Sequence, residues 1–183
     1  FFLGFFSDIR KLNSPLIRLI IQAVLVIIFI QINNVYVNET KIIFLDFLIS
    51  NYFILKVIFT VFCIIILMNG TNFIDGTNTL VLGYYIIVIF NLLIVSNNYG
   101  LLVHQEEILK LLNCLIIIFI FNFFSKSFLG DSGSYTLSFV VGIYLIDFVS
   151  KNFGLSPFYI ILLLWFPAFE NLFTICRRIF YEK

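Results

Sequence analysis

The fold is decided by Asn51-Tyr52-Phe53-Ile54-Leu55-Lys56-Val57-Ile58-Phe59-Thr60-Val61-Phe62-Cys63-Ile64-Ile65-Ile66-Leu67-Met68 and the turn after it, Asn69-Gly70-Thr71-Asn72-Phe73-Ile74-Asp75-Gly76-Thr77-Asn78. The first stretch is apolar with a single charge, Lys56. A bilayer core about 30 Å thick needs about 20 apolar residues of helix, so this reads as a membrane span ending in a polar turn. The same pattern recurs on both sides of it. Spans are expected at Leu16–Val37, Asn51–Met68, Thr79–Ser96, Ile108–Phe124, Tyr135–Val149 and Pro157–Cys176. Composition agrees: the 183 residues are 62% hydrophobic and 11% charged, with a mean hydropathy of +1.11. Soluble domains are roughly 45–50% apolar and about 25% charged. A soluble domain, a disordered chain and a disulfide scaffold are thereby excluded. Continuous apolar runs, rather than alternation, favour helices over a barrel. The expected class is an all-α polytopic membrane protein with about six transmembrane helices.

A net charge of +1 argues against a nucleic-acid partner. Cys63, Cys114 and Cys176 lie in apolar runs without CxxC spacing and read as inert buried thiols. The chain starts at Phe1, and Phe1–Phe6 reads like the end of an apolar helix, so 1–183 is expected to be a single transmembrane domain from a longer protein. Asn38–Ser50 mixes polar and apolar residues, as a short extracytoplasmic hairpin or an interfacial segment would.

The connections alternate between two sides. Ser7–Pro15, Asn69–Asn78, Ser125–Ser134 and the tail from Arg177 share one side, with Arg10, Lys11, Arg18, Lys126, Arg177, Arg178 and Lys183. The other side and its flanks carry only Lys41, Lys56, Lys110 and Lys151, which places the first side in the cytoplasm. Asp8, Asn69, Asn72, Asp75, Asn78 and Asp131 gather there. That gathering suits a charged, water-soluble substrate meeting a membrane-bound one. No sustained repeat supports an inverted-repeat transporter.

Three segments on that side carry chemistry. Asn69 to Gly83 has the pattern N-x-x-N-x-x-D-G-x-N-x-L-x-x-G, and three-residue spacing stacks Asn69, Asn72 and Asp75 on one helical face. Its plainer reading is a polar turn whose Asn and Asp satisfy the backbone. Phe128-Leu129-Gly130-Asp131-Ser132-Gly133-Ser134 places an acid between glycines at the start of a span. Helix N-termini favour anions such as phosphate, and a carboxylate there can hold Mg²⁺ beside phosphate oxygens. A Gly-rich turn with Ser capping is the alternative. Leu3 to Gln22 carries Ser7-Asp8 ahead of Arg10, Lys11 and Arg18. An acid followed by bases is unremarkable at a membrane mouth.

Together these segments resemble the polyprenyl-phosphate N-acetylhexosamine-1-phosphate transferases. Asn69–Gly83 is similar to that family's N-x-x-N-x-x-D-G-x-D-G-L signature, Leu129–Ser134 to its GD-[ST]-GS segment, and Gly4–Gln22 to its G-x-x-DD stretch with a downstream R-L-x-x-Q. The resemblance implies transfer of sugar 1-phosphate from a UDP-N-acetylhexosamine to polyprenyl (undecaprenyl) phosphate, with release of UMP. It also implies a bacterial inner-membrane location and Mg²⁺ (or Mn²⁺) as cofactor. Asp131 then matches the metal-binding acid, with Asp75 a second metal and catalytic candidate. Asp75, Asn72 and Asn69 match the nucleotide and diphosphate loop, with Asn78, Gly130 and Ser132 beside it. Asp8 matches the second acid of a pair proposed to act on polyprenyl phosphate.

There are three departures. Ser7 stands where the family carries the first acid, Asn78 replaces an Asp, and the family's His-containing cytoplasmic loop would lie beyond Lys183. His104 falls on the other side and reads as a surface residue. Acids within spans are costly, at least about 2.5–3.5 kcal/mol near a helix centre, so each needs a reading. Glu170, after Pro167, is expected to line the cavity near Arg177 and Arg178, or to hydrogen-bond another helix. Asp147 reads as interfacial beside Lys151, and Asp46 as interfacial between the first two spans. The competing readings are a secondary transporter relaying protons through Asp147 and Glu170, and an inactive scaffold of the same fold.

Overall fold

The computed structural model describes residues 1–9, 11, 14–98, 105–151 and 155–181. Among them all regular structure is helical: α1 (Phe2–Asp8), α2 (Pro15–Asn33), α3 (Ile43–Asn51), α4 (Phe53–Ile74), α5 (Leu80–Asn98), α6 (Gln105–Phe123), α7 (Gly130–Lys151), α8 (Pro157–Leu163) and α9 (Trp165–Tyr181). Two compact units emerge, Phe1–Phe73 with Gly130–Lys183, and Ile74–Leu129.

Each expected span is largely helical, but among the described residues only three helices are long and apolar enough to cross a bilayer, or four if a bent pair counts as one span. The three are α2, α4 and α7. The last span is instead a broken pair, α8 and α9, bent by 63°. Pro167 explains the break: it has no N–H for the Leu163 carbonyl, and its ring would clash with that carbonyl. The apolar part of α5, Leu80–Ser96, is shorter, and α6 opens with Glu106 and Glu107 in its first turn. The segment expected to be a hairpin or interfacial stretch contains α3. It is tied down by Asp46 Oδ1, which accepts from Thr40 N at 2.6 Å and Thr40 Oγ1 at 2.7 Å. Burial works against the Asp46 charge, but those bonds, an amide of Lys41 and the Lys41 charge outweigh it and hold the carboxyl below its ordinary range.

The first unit is built on α2, α4 and α7. Val26 and Ile30 of α2, Val57, Val61, Ile64 and Met68 of α4, and Tyr135 of α7 form one buried cluster. Phe29 meets Phe139 edge to face at 5.0 Å. The opposite faces are apolar and exposed: Ile20, Leu25, Ile28 and Ile32 on α2, and Ile54, Ile58 and Phe62 on α4. Such faces suit a lipid environment. α2 starts with Ser14 extended and Pro15 in the first turn, and stops at Asn34 in the left-handed region, φ 53°. At the end of the unit away from Asn69, an apolar cavity of about 440 Å³ opens among Val37, Phe62, Leu67, Leu145, Trp165 and Ala168.

Two glycines set how closely helices approach. A Cβ on Gly4 would overlap the Ser132 Cα and the Asp131 carbonyl carbon, so α1 lies backbone-to-backbone on the first turn of α7. A Cβ on Gly70 would overlap the Pro167 carbonyl, which seats α4 against α9.

The second unit is an α5–α6 hairpin. Thr79, at φ 69°, donates its N–H to Asn122 Oδ1 at 2.6 Å, and Asn122 Nδ2 donates to the Ser127 carbonyl at 2.7 Å. One buried amide side chain thus ties the start of α5 to the loop after α6.

Candidate functional site

Ser7, Asp8 and Arg18 of the first unit converge on the N-terminus of α7. Gly130 makes this possible: its φ of +62° is open to glycine, and it turns the chain into the helix. The next two amides receive an acid from α1. Asp131 N donates to Asp8 Oδ1 at 2.9 Å, and Ser132 N donates to Asp8 Oδ2 at 3.2 Å. The sequence alone suggests phosphate at this helix start. In the structure the anion held there is the Asp8 carboxylate.

Asp131 itself points into a small charged network. Ser7 Oγ donates to Asp131 Oδ2 at 2.5 Å. Arg18 Nη1 reaches the same oxygen at 3.0 Å and Ser7 Oγ at 2.6 Å. The Arg18 and Asp131 side chains are only 24% and 26% exposed, so the pair is screened less than a surface bridge. No described residue bonds Asp131 Oδ1. In the sequence Arg18 is a membrane-flanking cation within the R-L-x-x-Q stretch. Its pairing with Asp131, 113 residues along the chain, has no local signal.

A second layer lies one turn deeper. Ser134 Oγ donates to Asn72 Oδ1 at 2.8 Å, and Asn72 Nδ2 lies 3.4 Å from Tyr135 Oη. Asn69 Nδ2 donates to Gln22 Oε1 at 3.0 Å and to the Ile65 carbonyl at 3.0 Å. Gln22, the last residue of the R-L-x-x-Q stretch, is 1% exposed, and it is not among the site residues expected from the sequence. Asn69 and Asn72 sit on the last turns of α4, stacked as their spacing implies. The same end receives α9, where the Arg178 guanidinium lies 5.4 Å over the Phe73 ring. Arg177 is the residue before it on α9.

Asp75 and Asn78 belong to the second unit. Asp75 comes directly after the end of α4, and Asn78 Nδ2 donates to Ser125 Oγ at 3.0 Å. Glu170 is half-buried, with Thr174 Oγ1 at 3.5 Å from its Oε1. Asp147 pairs with Lys151 one turn on at 2.7 Å. His104 lies outside the described residues.

Among the described residues no three His, Cys, Asp or Glu side chains group as a metal cage. A divalent cation therefore fits only as Mg²⁺ is often held, by one or two carboxylates with phosphate oxygens completing the shell. Asp131 Oδ1 is the donor that meets this description.

No curated protein and no solved structure matches the chain significantly. The family model described as "Glycosyl transferase family 4" matches residues 1–149. Residues 1–149 include all three motif segments, and the match covers most of the chain. The chain belongs to glycosyl transferase family 4, the family of polyprenyl-phosphate hexosamine-1-phosphate transferases, which transfer a sugar phosphate from a nucleotide-sugar donor to a polyprenyl phosphate acceptor.

Proposed function

We propose that the chain transfers N-acetylhexosamine 1-phosphate from a UDP-sugar to undecaprenyl phosphate, releasing UMP and starting a lipid-linked cell-envelope glycan. It would work at the bacterial inner membrane with the α7 N-terminus facing the cytoplasm. The observation that carries this reading is the meeting of segments remote in sequence on the first turns of α7, with Ser7, Asp8 and Arg18 at Asp131 and Asn72 at Ser134.

The reaction needs an acceptor phosphate oxygen aligned on the β-phosphorus of the donor. It also needs charge neutralisation as the bond from that phosphorus to UMP breaks. When bound at Asp131, Mg²⁺ or Mn²⁺ would neutralise the diphosphate and stabilise departing UMP. Arg18 supplies a permanent positive charge beside Asp131, suited to the phosphate oxygens. Asp8, with both oxygens on α7 amides, acts as a positioning residue that orients Asp131. Asn72, held by Ser134, and Asn69, held by Gln22, present amides along the approach to the donor. Gly130, Ser132, Arg177 and Arg178 would border the nucleotide, with Glu170 about two turns before the arginines on α9. The apolar cavity beside α4, α7 and α8 offers volume for isoprenoid chain.

The test uses full-length protein in detergent with undecaprenyl phosphate and a panel of radiolabelled UDP-sugars. UMP release and labelled lipid should appear together with a UDP-N-acetylhexosamine and disappear with EDTA. UMP release without labelled lipid would refute the acceptor, and labelling with only non-acetylated sugars would refute the donor.

A further inference from the structure

Three features of the Asp131 network bear on when a cation can bind. The Asp131 carboxylate is already paired: Arg18 Nη1 and Ser7 Oγ both converge on Oδ2. The neighbouring carboxylate, Asp8, is committed to two backbone amides at a helix N-terminus, which offsets its charge. The α1 side chain bonded to Asp131 is a neutral hydroxyl, Ser7, where a carboxylate would raise the local negative charge. An ion such as Mg²⁺ sheds water reluctantly and needs several anionic oxygens to do so. One carboxylate shared with a guanidinium is a poor site for it.

We propose that Ser7 and Arg18 make Asp131 a conditional ligand, so that a divalent cation is held only together with a nucleoside diphosphate. Without donor, Arg18 occupies Asp131. When the diphosphate arrives, its oxygens complete the cation's shell and offer Arg18 an alternative anion, so the guanidinium moves from Asp131 to phosphate. Arg18 already meets two partners from one nitrogen and is 24% exposed, so the exchange needs a side-chain rotation rather than a helix shift. This rests on the transferase reading given above. Cation and donor are then taken up as one complex, and Ser7 is the residue that enforces the order.

Mn²⁺ binding to the full-length protein in detergent, followed by loss of the free-ion electron paramagnetic resonance signal, tests this without turnover. Wild type should bind Mn²⁺ alone at least tenfold more weakly than in the presence of UDP. Ser7→Asp should tighten binding of Mn²⁺ alone at least tenfold, as should Arg18→Gln. In Arg18→Gln the gain from UDP should also shrink at least tenfold. Adding Asp131→Asn to Ser7→Asp should remove the tight site. Circular dichroism and monodispersity confirm folded variants, and either single variant suffices if the other misfolds. Wild-type binding of Mn²⁺ alone as tight as in Ser7→Asp would overturn the proposal and leave the transferase reading standing. So would values within twofold in both variants. Absence of Mn²⁺ binding in every protein, with or without UDP, would overturn the proposal and the metal part of the functional reading together.

Discussion

Gly4 offers the sharpest structural prediction. Its missing side chain lets α1 lie on the backbone of Asp131 and Ser132, and a Cβ there would overlap main-chain atoms that cannot rotate away. Gly4→Ala therefore pushes α1 off α7 by a fraction of an ångström to an ångström. Overpacking typically costs about 1–3 kcal/mol, and a backbone neighbour places this case at the upper end. The displacement also stretches both Asp8 bonds to the α7 amides, and losing such a cap costs about 1–2 kcal/mol. A combined loss of about 3–5 kcal/mol corresponds to a fall of roughly 6–20 °C in melting temperature. Transfer should drop at least about a hundredfold, because misplacing a reacting group by about 1 Å has that effect. The assay is thermal unfolding in detergent beside UMP release. Gly76→Ala is the comparison for stability, since nothing lies within 4 Å of a Cβ there. Gly4→Ala melting within about 2 °C of wild type, with full activity, would refute the close-approach argument.

Other outcomes rest on single contacts. Asp8→Ala should lower kcat by about a hundredfold with a smaller change in donor KM, because it loosens Asp131 rather than removing a donor contact; steady-state kinetics separate the two. Asn122→Ala strands the Thr79 N–H and the Ser127 carbonyl, a loss of about 2–4 kcal/mol that hydrogen exchange should register as faster exchange in the α5–α6 hairpin. Asp46 titrates below its ordinary value, so its stabilising bonds to Thr40 are complete above pH about 4 and fade as pH falls through the lower folded value. The melting-temperature gap between wild type and Asp46→Asn should therefore close on acidification below about pH 4.

The apolar runs and the polar turns are legible in the sequence because both arise from local physics. A stretch such as Asn51–Met68 has no stable state in water, and helix is its only state in lipid. The stacking of Asn69 and Asn72 is legible for the same reason, since helical spacing is a local property. Pro167 marks the α8–α9 break, yet hydropathy makes Pro157–Cys176 look continuous because it does not register a proline. Less legible are the contacts that need two distant segments. That Asp8 caps α7 depends on Gly4 allowing α1 to approach, and no pattern within either segment announces it. Arg18 and Gln22 are legible as the two ends of an R-L-x-x-Q pattern at the start of a span, but their partners are not. Their roles emerge only when Asp131 and Asn69 are placed opposite them. Ser7 is visible as a departure from the family, but its consequence, a hydroxyl bridging Arg18 and Asp131, needs coordinates.

Sugar-phosphate transfer organised around Asp131 is the central claim. The most direct measurement is single-turnover transfer of radiolabelled N-acetylhexosamine 1-phosphate from its UDP donor to undecaprenyl phosphate, with full-length wild type and Asp131→Ala at matched fold content. Labelled lipid and UMP should form in equal amounts with wild type, and the variant's rate should be lower by about a thousandfold or more, the scale expected when a group that stabilises transition-state charge is removed. Equal rates in the two proteins would contradict the claim.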